Sequence, residues 1–109
     1  MMPYVYLFGA IIFEVFGTML LPYSRNFTKP LISIIIIISY SLSFYLLTFS
    51  LKEIPIAIAY STWAGLGIFL VTLFGYLIYD QNLQWQSYIG LLFIAIGVAI
   101  VNTFKSQDI

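Results

Sequence analysis

The chain has 109 residues, of which 62% are hydrophobic and only 7% charged, and its mean hydropathy is +1.05. A soluble domain this short could not hide so much apolar surface. Four Lys or Arg balance four Asp or Glu, and there is no Cys or His. That composition excludes disulfides, thiol or imidazole chemistry, zinc sites of the usual ligand types and a basic patch for nucleic acid. No enzyme, metal site or cofactor is expected; the expected surroundings are a lipid bilayer.

The first residues, MMPYVYLFG, carry no charge and run straight into further apolar sequence. A cleaved signal peptide is therefore not expected. A bilayer-spanning helix needs roughly 20 apolar residues, and four segments meet that length, at about 4–21, 31–51, 55–79 and 86–104. The breaks between them are short and hold nearly all the charge: Arg25 and Lys29 in SRNFTKP, then Lys52-Glu53, then Asp80 in DQNLQWQS, with Lys105 and Asp108 in the tail. In lipid the backbone must satisfy its own hydrogen bonds, as a helix does. The expectation is an all-α membrane protein, a single domain over 1–109 forming a bundle of four transmembrane helices.

Tyr4, Tyr6, Tyr23, Tyr79, Trp85 and Tyr88 fall near span ends, where amphipathic rings settle at headgroup level. Tyr40, Tyr45, Tyr60 and Trp63 lie inside spans, where a phenol or indole wants a hydrogen-bond partner or a ligand. The charges also bear on orientation. Four spans put the N-terminus, Lys52 and Lys105 on one side and Arg25 and Lys29 on the other, two cationic residues against two. The positive-inside rule then gives no preference, so insertion in both orientations is expected.

Glu14 interrupts the run GAIIFEVFGTMLL. A charge at mid-bilayer costs roughly 2.5–3.5 kcal/mol on insertion scales and usually marks an ion or proton pathway. No other span holds a Lys or Arg to neutralise it, which leaves a protonated carboxyl or a carboxylate facing an external cation. Removal from water favours the neutral acid, so such a group suits proton binding and release. Helical spacing puts Leu7, Ala10, Gly17, Thr18 and Leu21 on its face. Small residues at Ala10 and Gly17 are expected to leave room there for something bulky. The plainer reading is a tolerated glutamate bonded to a neighbouring helix.

In the third segment Ile56, Tyr60, Trp63 and Gly67 recur at helical spacing, and Gly65 and Gly67 weaken the helix beyond them. This stripe reads either as core or as an aromatic wall that attracts cations and can bend. In the fourth, Gly90 and Gly97 stand two turns apart with Ile94 near their line, a pattern that allows close helix approach. One carboxylate in so small a chain points to a pathway built between copies.

These residues together resemble the small multidrug resistance family, in its quaternary-ammonium-exporting branch. The matching pieces are PYVYL, GAIIFEVFGT around Glu14, SRNFTKP, SFYLL from Ser43 to Leu47, IPIAIAYSTWAGLG, and IGLLFIAIGVAIVN ending at Asn102. They cover nearly the whole chain without gaps. The resemblance implies an antiparallel, dual-topology homodimer in the bacterial cytoplasmic membrane, exchanging protons for hydrophobic organic cations by alternating access. It implies that Glu14 of both copies is the shared proton and cation site. Tyr4, Tyr40, Phe44, Tyr60 and Trp63 would join Leu7, Ala10, Gly17 and Thr18 around it. A bend at Gly65 to Gly67 and dimer packing through Gly90, Ile94 and Gly97 are implied as well.

Within the family, the guanidinium-exporting branch usually has Trp where this chain has Gly17 and often Lys where it has Asn102, so both residues favour the drug-exporting branch. One departure stands out: the family nearly always has Lys where this chain has Pro22, a residue expected to end the first helix. The alternatives are a guanidinium or polyamine exporter, one half of a heterodimeric pair, and a non-transporting membrane subunit, which would have no use for Glu14.

Overall fold

The computed structural model describes residues 2–104; Lys105 and Asp108 lie outside them. Four helices follow in order, α1 (Met2–Ser24), α2 (Pro30–Ser50), α3 (Ile56–Tyr79) and α4 (Trp85–Thr103). Each is long and apolar enough to cross a membrane. The chain is therefore a multi-pass, all-α membrane protein. Glu14 is the single charged residue within the four helices.

α1 packs on both α2 and α3, and α4 packs mainly on α3; the described residues span 45 × 35 × 18 Å. Phe44 of α2 also reaches Trp63 of α3, and Tyr4 of α1 reaches Asn102 of α4. Lipid tails solvate Leu and Ile as well as another helix does, so apolar surface alone does not force helices together. What holds neighbours is close packing and buried hydroxyls.

The α1–α2 contact shows how. A Cβ on Gly9 would meet Leu46 Cδ1 at 3.2 Å, and one on Gly17 would meet the Tyr40 ring at 3.0 Å. From α2, Ser33, Ile36, Ser39, Ser43 and Ser50 turn inward and are buried. Ser43 Oγ donates across the gap to the Ala10 carbonyl at 2.7 Å, whereas Ser33 and Ser50 satisfy their hydroxyls on their own helix, at Lys29 O and Leu47 O.

Pro22 does not end α1, which continues to Ser24. Proline withholds one N–H and crowds the preceding turn, but here the helix has only two residues left to lose. Hydroxyls take carbonyls of that turn: Tyr79 donates to Met19 O and Ser24 Oγ to Leu21 O. Beyond Ser24, Arg25, Asn26 and Phe27 all take left-handed φ values of 49°, 61° and 64°. Such a run is unfavourable for L residues. It is held by Ser24, whose Oγ accepts the Phe27 N–H and whose carbonyl accepts the Thr28 N–H.

Candidate functional site

The core is built where α1 meets α3. Leu7, Ile11, Val15, Ile54, Ile58 and Ala59 are buried together, with Tyr4 and Trp63 packed against them. Leu7 and Ala10 are fully enclosed. Within this protomer they turn towards α3 and α2, and the Tyr40 ring and Ser39 Cβ occupy the room beside Gly17.

Glu14 itself is half-buried. It opens onto a cleft of about 360 Å³ between α1 and α3, lined by Tyr60, Trp63, Ala64, Gly67, Ile68, Val71 and Thr72. The α3 positions recur at three and four residues, so one helix face supplies the whole wall. The sequence stripe through Tyr60, Trp63 and Gly67 is the upper part of it. Ala64, Ile68, Val71 and Thr72 are the part that sequence reading missed, although the same spacing extended two more turns reaches each of them. Ile56, the first member of that stripe, is instead exposed before the wall begins.

Both carboxylate oxygens are engaged by their surroundings. Thr18, one turn along α1, donates its hydroxyl to Glu14 Oε2 at 2.6 Å. Thr18 Oγ1 also lies 2.8 Å from the Tyr40 hydroxyl. Thr18 has one proton to give, so when it serves Glu14 it is Tyr40 that donates to Thr18. The two hydroxyls thus form a directed chain from α2 to the carboxylate. Glu14 Oε1 packs against α3, 3.2 Å from where a Cβ on Gly67 would stand. Hence the bonding partner is Thr18 on Glu14's own helix, and the contact with the next helix is to a bare backbone.

Aromatic rings close one side of the cleft. Trp63 meets Phe44 of α2 edge-on at 5.5 Å and Tyr60 edge-on at 5.9 Å. Tyr60 and Phe44 are largely exposed, so their faces are available to a ligand. With one carboxylate and three aromatic rings, the arrangement can neutralise an organic cation while offering it π surface. Tyr45 is not drawn in; it lies edge-on to Phe49 on the outer face of α2.

The remaining predicted residues are placed elsewhere. Tyr4 donates to Asn102 Oδ1 at 2.7 Å, towards one end of the helices. α3 runs unbroken through Gly65 and Gly67. A Cβ on Gly65 would meet Val98 Cγ2 at 2.5 Å, so the two glycines serve close contacts with α4 and Glu14 in this conformation. Gly90 and Gly97 face open space among the described residues. Ile94 touches Gly65 from α4 while remaining partly exposed, and α4 has no buried residue.

The pattern of the family described as Small Multidrug Resistance protein matches residues 2–94. The chain is 44% identical to the multidrug transporter EmrE of Escherichia coli K12, over 94% of this chain and 93% of that protein. It is 39% identical to the quaternary ammonium compound-resistance protein QacH of Staphylococcus saprophyticus, over 97% and 99%. With QacE of Escherichia coli, of the same description, it shares 37% over 96% of each chain. The chain belongs to the small multidrug resistance family.

Proposed function

We propose that this protein exports lipophilic and quaternary ammonium cations in exchange for protons, as an antiparallel homodimer in the bacterial cytoplasmic membrane. The observation that carries this reading is Glu14, the single charge in four membrane helices, opening onto a cleft walled by Tyr60 and Trp63. The names of the relatives, a multidrug transporter and quaternary ammonium resistance proteins, agree with it.

Charge balance governs the exchange. An ionised Glu14 binds a cation; a protonated one does not. A second copy brings a second carboxylate to the same chamber, and two like carboxylates raise each other's proton affinity and titrate as a pair. Protons arriving from outside release the cation, and loss of protons inside readies the chamber again. The Thr18 hydroxyl, itself bonded to Tyr40, donates to the carboxylate and fixes where it stands.

A partner copy is favoured because a cleft open on one side cannot enclose a cation, and because α4 leaves Gly90 and Gly97 uncovered. Close antiparallel packing there, with Ile94 alongside, completes the chamber. An even distribution of cationic residues permits the two orientations that such a dimer needs. When access alternates, α3 bends most readily at Gly65 and Gly67, where glycine weakens the helix. The branch reading is supported by Gly17: the Tyr40 ring leaves no volume for an indole at that position.

The test is equilibrium binding of tetraphenylphosphonium to the purified protein across pH, with Glu14→Gln as control. Affinity should rise with pH through the neutral range and vanish in the variant. Binding that ignores pH, or that survives in Glu14→Gln, overturns the assignment.

A further inference from the structure

At the end of the protomer that holds the N-terminus, three helices are tied by one chain of polar side chains. Tyr4 of α1 donates to Asn102 Oδ1 of α4 at 2.7 Å. Asn102 Nδ2 donates to Thr62 Oγ1 of α3 at 2.8 Å and to its own Val98 carbonyl at 2.9 Å. The amide has two protons and one oxygen, and each has a partner. Val98 in turn packs its Cγ2 where a side chain on Gly65 would stand. α4 buries none of its residues, and Asn102 bonds it to both α1 and α3 through polar side chains.

Tyr4 and Asn102 stand 98 residues apart in the chain. Thr62 is the neighbour of Trp63, which walls the cleft, and Tyr4 packs on the same core as Trp63. Ten residues of helix separate Tyr4 from Glu14, roughly 15 Å towards one membrane surface. If a protomer switches access by moving α1 against α3 and α4 at that end, the motion has to break this network.

We infer that Asn102 is a positioning residue for transport: with Tyr4 and Thr62 it forms a latch that holds this end of the protomer shut and sets how fast access alternates. These bonds tie three helices at one end of the span, so they oppose opening there directly. Resting on the alternating-access reading, the latch predicts an effect on exchange rate and not on the cation site itself, because none of its polar atoms touches Glu14.

The experiment uses the full-length protein in bicelles with tetraphenylphosphonium bound, and reads the exchange rate between access states by NMR alongside equilibrium affinity. Interhelical hydrogen bonds in membranes average a contribution that corresponds to about threefold in an equilibrium, with a maximum near twentyfold. Asn102→Leu and Tyr4→Phe should each speed exchange within that range. Because both remove the same bond, the double variant should match the faster single variant. Thr62→Val should speed exchange as well, whereas Thr62→Ser, which keeps the hydroxyl, should behave as the native chain. Affinity in Asn102→Leu should stay within about twofold of native. Native-like exchange in Asn102→Leu, or effects of the two single variants that simply multiply, overturns the latch. Absence of exchange in the native protein overturns the alternating-access reading instead.

Discussion

Glu14 Oε1 stands across the α1–α3 boundary from Gly67, 3.2 Å from where a Cβ on the glycine would be. The carboxylate rests on bare backbone, and the absence of a side chain keeps its other side open to the cleft. Gly67→Ala inserts a methyl group at that spot. The Glu14 side chain has the cleft to move into, so the fold should survive. The added methyl displaces the carboxylate into the cleft and takes volume there from a cation. Tetraphenylphosphonium affinity at a fixed pH should therefore fall, which calorimetry of both proteins checks; an unchanged affinity would mean that the oxygen faces elsewhere when the cation binds.

Thr18 holds the carboxylate from its own helix, its hydroxyl donating to Glu14 Oε2 at 2.6 Å. Thr18→Val removes that bond at nearly constant volume and frees the carboxylate to turn, so tetraphenylphosphonium affinity at a fixed pH should fall. A hydrogen bond to a charged group contributes about 1.5–3 kcal/mol, and Glu14 is only half-buried, so a loss of roughly three- to tenfold is the expectation. Thr18→Ser should restore most of the native affinity. Calorimetric titration of the three proteins separates these outcomes.

The length and position of the four spans were legible in the sequence because lipid imposes a long apolar run and expels charge to the ends. Glu14 was legible for the same reason in reverse. What could not be read was the environment of residues on its face. Helical spacing groups Leu7, Ala10 and Gly17 with Glu14, but it does not say which helix packs against each, and α2 and α3 cover them all. The inward serines of α2 carried a signal that hydropathy hides: within PLISIIIIISYSLSFYLLTFS the small residues mark the face against α1. Pro22 misled because the cost of a proline depends on how much helix remains beyond it.

Gly65 and Gly97 look alike in sequence and separate in structure. A Cβ on Gly65 would lie 2.5 Å from Val98 Cγ2, while one on Gly97 meets nothing within 4 Å among the described residues. Gly65→Ala should therefore destabilise the protomer itself, by about 1–3 kcal/mol as overpacking does, in unfolding by denaturing detergent. Gly97→Leu should leave that stability near native. If α4 pairs with a second α4, the same Gly97→Leu substitution should instead lower the dimer fraction, measured by energy transfer between labelled copies in micelles. Equal dimer fractions in Gly97→Leu and native protein would remove α4 from the interface.

Ser43 offers a test of what holds α1 to α2. Its side chain is fully enclosed and its Oγ reaches the Ala10 carbonyl at 2.7 Å. That carbonyl already belongs to the α1 ladder, so Ser43→Ala costs one interhelical bond without stranding a donor on α1. Bonds of this kind in membrane proteins average about 0.6 kcal/mol, and the loss should stay near that value in detergent unfolding. Ser43→Val removes the bond and also forces two methyl groups into a contact built for a hydroxyl. Because α2 carries Tyr40 at the next inward turn, separation of the two helices should loosen the Tyr40–Thr18 bond and carry the effect to Glu14. Ser43→Val should therefore both destabilise the protein further and weaken tetraphenylphosphonium binding, whereas Ser43→Ala should leave binding in place.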